Sequence, residues 1–380
     1  MKRMSSRERV YAAISHQPPD RVPIDLNITL SGYENLRKYL GPKIDENPAP
    51  NAAMEVIPDP GVLQSLGVDL VSVKLGGGIS RFSMLPETIT DGWGITRKLA
   101  PQSVGAYYEV TTHPLAGSTS DDLKDYPWPD PCPLKKAEAL QKQAEELYNH
   151  TDLALVGRFG GPILELAADL LGLEEWYLRL AMDKEFIAAL LDKIGAICTA
   201  DDLFGIEYAG QYVQIMKVSG EDFGGQNGPL YSLEMFREIL LPPLRHRWQT
   251  VREKLDKVNP TAKIMLHSCG AVRSFIPDLI DTGVIDILDP VQPLASDMQP
   301  AGLKAEFGDR LVFHGGIDIQ RLLPFGTPEE VAAGTVKCLK GFRADRGGFI
   351  LAPSHSVQAD VPPQNILAMV EATKEWVRRS

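Results

Sequence analysis

A histidine and a cysteine separated by one residue are well suited to bind a metal ion. They are His267 and Cys269, which follow the apolar run Ile264–Leu266 and precede Gly270. In extended backbone, residues i and i+2 project to the same side, so the imidazole and the thiolate face one point. Zinc prefers these ligands, and a catalytic zinc site has three protein ligands and one open position. A buried cysteine beside a hydrogen-bonded histidine is the alternative interpretation of the pair.

Polar side chains also follow the other apolar runs in the second half of the chain. They are Glu221, Asp222, Gln226, Asp289, Gln292, His314 and His355. We predict that His355 is the third metal ligand, and that Glu221 or Asp222 is an acid able to donate a proton. Asp289 and His314 are expected to converge on the same site as His267 and Cys269, and Gln292 follows the same predicted strand as Asp289.

From about residue 150 onward, short apolar runs alternate with helical patterns. These elements must position the polar side chains. Thr327, Pro328 and Glu330, for example, form a helix start signal. The predicted strands are Val68–Leu75, Leu153–Phe159, Val213–Ser219, Ala262–Ser268, Val284–Asp289, Arg310–Gly315 and Gly348–Pro353. This alternation indicates parallel strands with crossover helices, and seven or eight such units favour a closed barrel.

The predicted fold is therefore of the α/β class, a (β/α)8 TIM barrel with an irregular N-terminal extension. In such barrels the carboxyl ends of all strands lie on one face, and that face carries the active site. We expect residues 1–380 to form one barrel domain. Residues 1–150 are expected to supply an N-terminal helix, which Ser5 and Glu8 can cap, and loops around the barrel mouth.

Three features of the first 150 residues have two interpretations each. Trp93 and Trp128 are candidate contacts at the rim of the barrel mouth, with burial as packing residues as the alternative. Gly76–Gly78, after the first predicted strand, could bring backbone close to a ligand or form a loose turn.

The bulk composition excludes several classes of protein. The net charge of −11 argues against nucleic acid and against anionic membranes as partners. No apolar run approaches the length of a membrane span, and the first residues lack the apolar core of a signal peptide. The four cysteines are widely spaced and form no CxxC motif, which indicates a reducing compartment. We predict a cytoplasmic protein.

Several segments together resemble the uroporphyrinogen decarboxylase superfamily along nearly the whole chain. They are RERVYAAISHQPPDRVPID, DGWGITRK, GEDFGGQNGPLYSLEMFREILLPPL, HSCGAVRSFIPDLIDTGVIDILDPVQP, FHGGIDIQRLLPFGTPEEV and GGFILAPSHSVQADVPPQNILAMVEA. True decarboxylases of this superfamily carry an arginine-containing RQAGRY-type segment near the N-terminus. The equivalent stretch here, Ile24–Ile28, lacks an arginine pair, which disfavours decarboxylation of a porphyrinogen.

The resemblance is stronger to the corrinoid-dependent methyltransferase branch, and most to the methyltransferase components of anaerobic O-demethylases. That branch has a zinc site built from an HxC pair and a cysteine on the last strand. His267 and Cys269 match the pair, whereas His355, in APSHS, stands where the last cysteine would be. The resemblance implies a His–Cys–His zinc site, with Glu221 as a possible fourth ligand. It also implies that Asp289, Gln292, His314 and Trp93 line the site for substrate and corrinoid.

The function implied is methyl transfer between a small methylated donor, such as an aromatic methyl ether, and the cobalt of a corrinoid. The chain has no DxHxxG motif for cobalamin, so the corrinoid is expected on a separate partner protein. Two alternatives remain. One is a decarboxylase-like lyase that acts without metal, and the other is a non-catalytic member that binds the corrinoid protein.

Overall fold

The computed structural model describes residues 3–41, 48–75, 85–102, 105–130 and 135–379. The predicted contact at Gly76–Gly78 lies outside the described residues. In chain order, the strands are β1 (Ile28–Thr29), β2 (Glu55–Val56), β3 (Leu70–Lys74), β4 (Thr88–Thr90), β5 (Thr96–Pro101), β6 (Ala106–Val110), β7 (Ala154–Arg158), β8 (Ile215–Gly220), β9 (Lys263–His267), β10 (Ile287–Val291), β11 (Val312–Ile317) and β12 (Phe349–Pro353).

Helices follow the barrel strands, as the predicted crossover connections require. They are α1 (Ser6–Ile14), α2 (Leu30–Leu40), α3 (Pro60–Leu66), α4 (Asp122–Asp125), α5 (Lys135–His150), α6 (Leu164–Leu171), α7 (Leu173–Met182), α8 (Lys184–Ala209), α9 (Leu233–Met235), α10 (Leu241–Val258), α11 (Ile276–Asp281), α12 (Pro300–Phe307), α13 (Leu322–Phe325), α14 (Pro328–Gly341) and α15 (Pro363–Arg379). The predicted capping boxes of α1 and α14 are both present. Within the described ranges, each helix is too short or too polar to cross a lipid bilayer.

A seven-stranded parallel sheet forms the barrel wall, in the order β12-β11-β10-β9-β8-β7-β3. The segment between α1 and β1 lies in the gap between the two ends of this sheet. On one side, Ile24 forms a parallel bridge with Leu351 of β12. On the other side, the backbone amide of Asp69, just before β3, donates to the carbonyl oxygen of Ile24 at 2.8 Å. This segment takes the place of the first strand, and the predicted (β/α)8 barrel is confirmed.

Apolar side chains fill the amino-terminal half of the barrel interior. One buried cluster joins residues from consecutive strands of the wall to Val10 and Ile14 of α1. Its strand members are Leu70, Ala154, Val156, Ile215, Met265, Ile287, Val312 and Ile350. Because α1 contributes to this cluster, it closes the amino-terminal end of the barrel. An active site is therefore expected at the opposite end, where the strands end.

Polar side chains occupy the same interior positions nearer the carboxyl ends of the strands. Residues two apart on a strand face the same side, so the residue two places after each apolar interior residue also points inward. On successive strands these residues are Arg158, Lys217, His267, Asp289 and His314. Within two residues along these strands, the interior side chains therefore change from apolar to charged or titratable.

The N-terminal extension contains a structure that the sequence patterns did not predict. Strands β4, β5 and β6 form a small antiparallel sheet. Arg97 of β5 contacts Asp169 of α6 at 2.6 Å, and Tyr107 of β6 donates to the side chain of Gln358, after β12. These contacts attach the sheet to the face where the barrel strands end.

Candidate active site

Three side chains at the carboxyl ends of two neighbouring strands form a cluster able to hold a metal ion. Among the described residues, donor atoms of Asp222, His267 and Cys269 all lie within 4.8 Å of one another. His267 ends β9, Cys269 lies two residues further, and Asp222 follows β8. An Asp222 carboxylate oxygen accepts from the Cys269 backbone amide at 2.9 Å and lies 4.0 Å from His267 Nε2.

Close packing of two glycine-containing loops brings these three side chains together. At Gly270, which has a φ of 78°, a Cβ would lie 2.2 Å from the carbonyl oxygen of Gly224, so this approach requires glycine. The Ala271 amide donates to the Gly225 carbonyl oxygen at 2.9 Å. The side-chain oxygen of Gln292 accepts from the Gly270 amide at 2.7 Å. Gln292, just after β10, therefore supports the loop that carries Cys269.

His267 is oriented by a buried carboxylate behind it. Its Nδ1 lies 2.9 Å from Asp289 Oδ2, and the Lys217 ammonium donates to the same oxygen at 2.6 Å. An ionised carboxylate accepts hydrogen bonds only, so Nδ1 of His267 carries the proton. Nε2 is then free to bind a metal on the side that faces Asp222. This carboxylate–histidine arrangement is typical of zinc sites, where it fixes the tautomer and the ring orientation.

Asp289 is also bound to a second histidine on the adjacent strand. His314 Nδ1 lies 2.6 Å from Asp289 Oδ1, and His314 Nε2 lies 3.0 Å from Asp25 Oδ2. Burial alone would lower the pKa of His314, but Asp289 and Asp25 raise it to about 9. Burial opposes ionisation of Asp289, yet Lys217 and His314 hold its pKa well below the usual value. At neutral pH, His314 is therefore protonated and Asp289 ionised.

The donor set of the cluster fits zinc. Carboxylate oxygen, imidazole nitrogen and thiolate sulfur are its usual ligands. Burial, and then the Asp222 carboxylate, raise the pKa of the Cys269 thiol above its ordinary value. A bound divalent cation supplies the positive charge that this thiolate needs, because metal binding deprotonates a ligating thiol.

The other predicted ligand, His355, lies near this cluster but outside it. Its ring centroid is 6.3 Å from that of His267, with the two rings nearly perpendicular. His355 is exposed at the barrel mouth. Asp222, predicted as an acid, has its carboxylate beside the His267 and Cys269 donor atoms, and metal binding by His355 stays a prediction.

The Glu221 carboxylate is bound by backbone amide groups. Its two oxygens accept from the backbone amides of Ile163 and Leu164 at 2.8 and 2.9 Å, at the start of α6. Only 1% of Glu221 is exposed. Burial raises its pKa to about 7, although Arg247 lies 3.7 Å away. These contacts bind Glu221 to the N-terminus of α6, and its role as an acid stays a prediction.

Trp93 belongs to a group of aromatic rings in the N-terminal extension. Its ring centroid lies 6.2 Å from that of Trp128 in an edge-on arrangement. The Trp93 carbonyl oxygen accepts from the Tyr126 hydroxyl, and both tryptophans are partly buried against the hydrophobic core. The packing that was the alternative interpretation is therefore present at both positions, and a corrinoid contact stays a prediction.

Several site residues were not singled out from the sequence. Lys217 and Asp25 complete the charged chain around Asp289, and Lys74 and Arg158 end neighbouring strands. A usable signal was present, since Lys74, Arg158 and Lys217 interrupt apolar strands at inward-facing positions. Glu165 is a further case. A Cβ at Gly220 would lie 3.2 Å from both Glu165 Oε1 and His267 Cδ2, so the two side chains flank this glycine.

Comparison with known proteins identifies the family. The model of the uroporphyrinogen decarboxylase (URO-D) family matches residues 109–376. The uroporphyrinogen decarboxylase of Pelodictyon phaeoclathratiforme is 29% identical over 191 residues, which cover 49% of this chain and 48% of that protein. The chain thus spans about half the length of this curated relative.

Relatives with another name match over nearly their full length. The methylcobamide:CoM methyltransferase MtbA of Methanosarcina mazei is 26% identical over 383 residues, 99% of this chain and of that protein. Among solved structures, a methyltransferase from Methanosarcina mazei has a TM-score of 0.64 at 19% identity, covering 98% of this chain and 99% of that one. The structural match shows a shared fold. Because the family model matches well over half of its residues, this chain belongs to the uroporphyrinogen decarboxylase family.

Proposed function

We propose that this protein is a zinc-dependent methyltransferase. It moves a methyl group between a small donor, an aromatic methyl ether in the first instance, and the cobalt of a corrinoid carried by a separate protein. The observation that carries the proposal is the convergence of Asp222, His267 and Cys269 at the barrel mouth, with Asp289 behind His267. The MtbA relative of Methanosarcina mazei, which matches over nearly its full length, supports it.

Zinc bound by these three residues supplies a Lewis acid to the heteroatom that carries the methyl group, and so stabilises the charge that develops there. The residues of the chain do the positioning. Asp289 fixes the His267 ring, and the Cys269 amide holds the Asp222 carboxylate in place. Burial, and then the Asp222 carboxylate, raise the pKa of Glu165 to about 9, and this carboxyl beside His267 is the candidate proton donor to a leaving oxygen.

The function is tested by zinc analysis followed by an assay with a corrinoid protein. We expect close to one zinc per chain after purification without chelator. With a corrinoid protein reduced to Co(I), loss of the Co(I) absorbance should depend on this protein and on one class of methyl donor. Methoxylated aromatics, methanol, methylamines and methyl thiols are to be compared. Carbon dioxide release from a carboxylated substrate, without corrinoid and without metal, would instead establish the decarboxylase-like lyase.

The ligand set is tested by two substitutions. Asp222→Ala is expected to weaken zinc binding by more than about tenfold, since losing even a residue that only supports a ligand costs that much. His355→Ala is expected to change zinc affinity less, because its ring lies outside the cluster of donor atoms. Affinity is measured by competition with a coloured chelator. A larger loss in His355→Ala than in Asp222→Ala would establish the His–Cys–His set predicted from sequence.

A further inference from the structure

A pair of cations lies at the barrel mouth on the strands next to the candidate metal site. Lys74 and Arg158 end β3 and β7 and are direct partners in the register of the sheet. Both contact one carboxylate, since Lys74 Nζ and Arg158 Nη2 lie 3.7 and 3.2 Å from Glu55 Oε2. The other oxygen, Glu55 Oε1, accepts from the Ser356 hydroxyl at 2.6 Å. Glu55 thus holds the two cations side by side.

These cations line an open cavity. A partly enclosed pocket is lined on its polar side by Asp25, Asn27, Glu55, Ser72, Lys74 and Arg158. The side chains of Lys74 and Arg158 are 20% and 25% exposed. A small molecule entering the mouth can therefore reach both of them.

Two basic side chains face one carboxylate at this cavity. Glu55 contacts both Lys74 and Arg158, whereas Asp25 and Asp289 are already bound to His314 and Lys217. Burial, and then Arg158, lower the pKa of Lys74 to about 7, and the contact with Glu55 only partly offsets them. A second anion between Lys74 and Arg158 would stabilise the charged form of Lys74.

We propose that Lys74 and Arg158 form a binding subsite for the carboxylate of the small co-substrate, a refinement that rests on the proposed methyl transfer. A guanidinium beside an ammonium matches the two oxygens of a carboxylate. Arg158 lies on β7 and His267 on β9, with β8 between them. Two strand spacings separate their backbones by about 10 Å. The co-substrate is therefore a short molecule with a carboxylate at one end and the methyl-bearing or methyl-accepting heteroatom at the other.

The proposal is tested by binding measurements on the zinc-loaded protein without any corrinoid protein. Two matched pairs of ligands are compared by calorimetry. 4-Methoxybenzoate and 4-methoxybenzamide probe a methyl donor, and 3-mercaptopropionate and 3-mercapto-1-propanol probe a methyl acceptor. In one pair, the anion is expected to bind about 10- to 100-fold more tightly than its neutral analogue, as a charged hydrogen-bonded partner does. The absence of this preference in both pairs overturns the proposal.

Substitutions then assign the preference to the two cations. Lys74→Met and Arg158→Met are each expected to lower the anion-to-neutral affinity ratio about tenfold while affinity for the neutral analogue changes little. Arg158→Lys should retain part of the ratio. Arg237→Met, which removes an exposed arginine paired with Asp278, and Lys184→Met, at an exposed lysine, are the matched controls. An equal fall in affinity for both ligands of a pair shows a structural role and overturns the subsite.

Different results would reject the carboxylate subsite and the proposed methyl transfer. Methyl transfer that proceeds equally well from 4-methoxybenzoate and 4-methoxybenzamide rejects the subsite and leaves the methyltransferase in place. A strong anion preference in a protein that transfers no methyl group supports the subsite and rejects the methyltransferase. If a methionine variant does not fold, judged by circular dichroism, Arg158→Lys and the wild-type ligand pairs still decide the matter.

Discussion

Replacing Cys269 by alanine is expected to abolish methyl transfer, with a loss of about 1,000-fold or more, while the barrel stays folded. The thiolate is one of three donors within 4.8 Å, and its loss leaves Asp222 and His267 as a two-ligand site. Lewis-acid stabilisation of a leaving oxygen is worth several kcal/mol, so losing the metal removes about three powers of ten in rate. Zinc content, methyl transfer and far-UV circular dichroism are measured on the same sample.

Cys338→Ala is the matched control for this change. Cys338 lies on α14 with its thiol buried in the core, and burial raises its pKa to about 12. This variant is expected to keep both zinc and activity, with at most a modest loss of stability from the small cavity. If Cys269→Ala loses its helical signal together with its activity, Cys269 is a structural cysteine and the metal site is elsewhere.

Periodicity predicted the barrel well because its strands are buried on both sides. All seven predicted strands are present, and their ends differ from the observed ones by no more than three residues. The first barrel position was missed because Pro23–Ile28 pairs through isolated bridges and single hydrogen bonds instead of a regular ladder. The β4–β6 sheet was missed because its residues are mostly exposed or half-buried, and such strands carry little apolar alternation.

The positions of residues after strands predicted where three candidate site residues meet, and their individual roles stay predictions. His267, Cys269 and Asp222 do converge, since residues after parallel strands share one face of a barrel. Asp222 lies in the cluster with His267 and Cys269, whereas its neighbour Glu221 does not, because the two side chains point in different directions. Glu221 turns towards the free backbone amides at the start of α6, and a single sequence does not encode this long-range contact in any local pattern.

Replacing Asp289 by alanine is expected to lower the free energy of unfolding by about 3–5 kcal/mol. The Asp289 side chain is 4% exposed and contacts Lys217, His267 and His314. Removing it leaves buried positive charges without their partner, and the loss of one member of a buried ion pair has this magnitude. Urea unfolding monitored by circular dichroism measures the effect. Asp278→Ala, which breaks an exposed pair with Arg237, should cost no more than about 1 kcal/mol.

The same network predicts how stability changes with pH. The folded pKa of His314 is raised to about 9, so its contribution is complete below pH 6.5 and disappears as the pH rises through 9. The difference in unfolding free energy between the wild type and His314→Gln should shrink over this range by up to about 3 kcal/mol. The comparison with the variant is needed because Lys74, whose pKa is lowered to about 7, contributes with the opposite sign. A difference that stays constant from pH 6.5 to 9.5 shows that His314 is neutral in the folded protein, and that Asp289 is balanced by Lys217 alone.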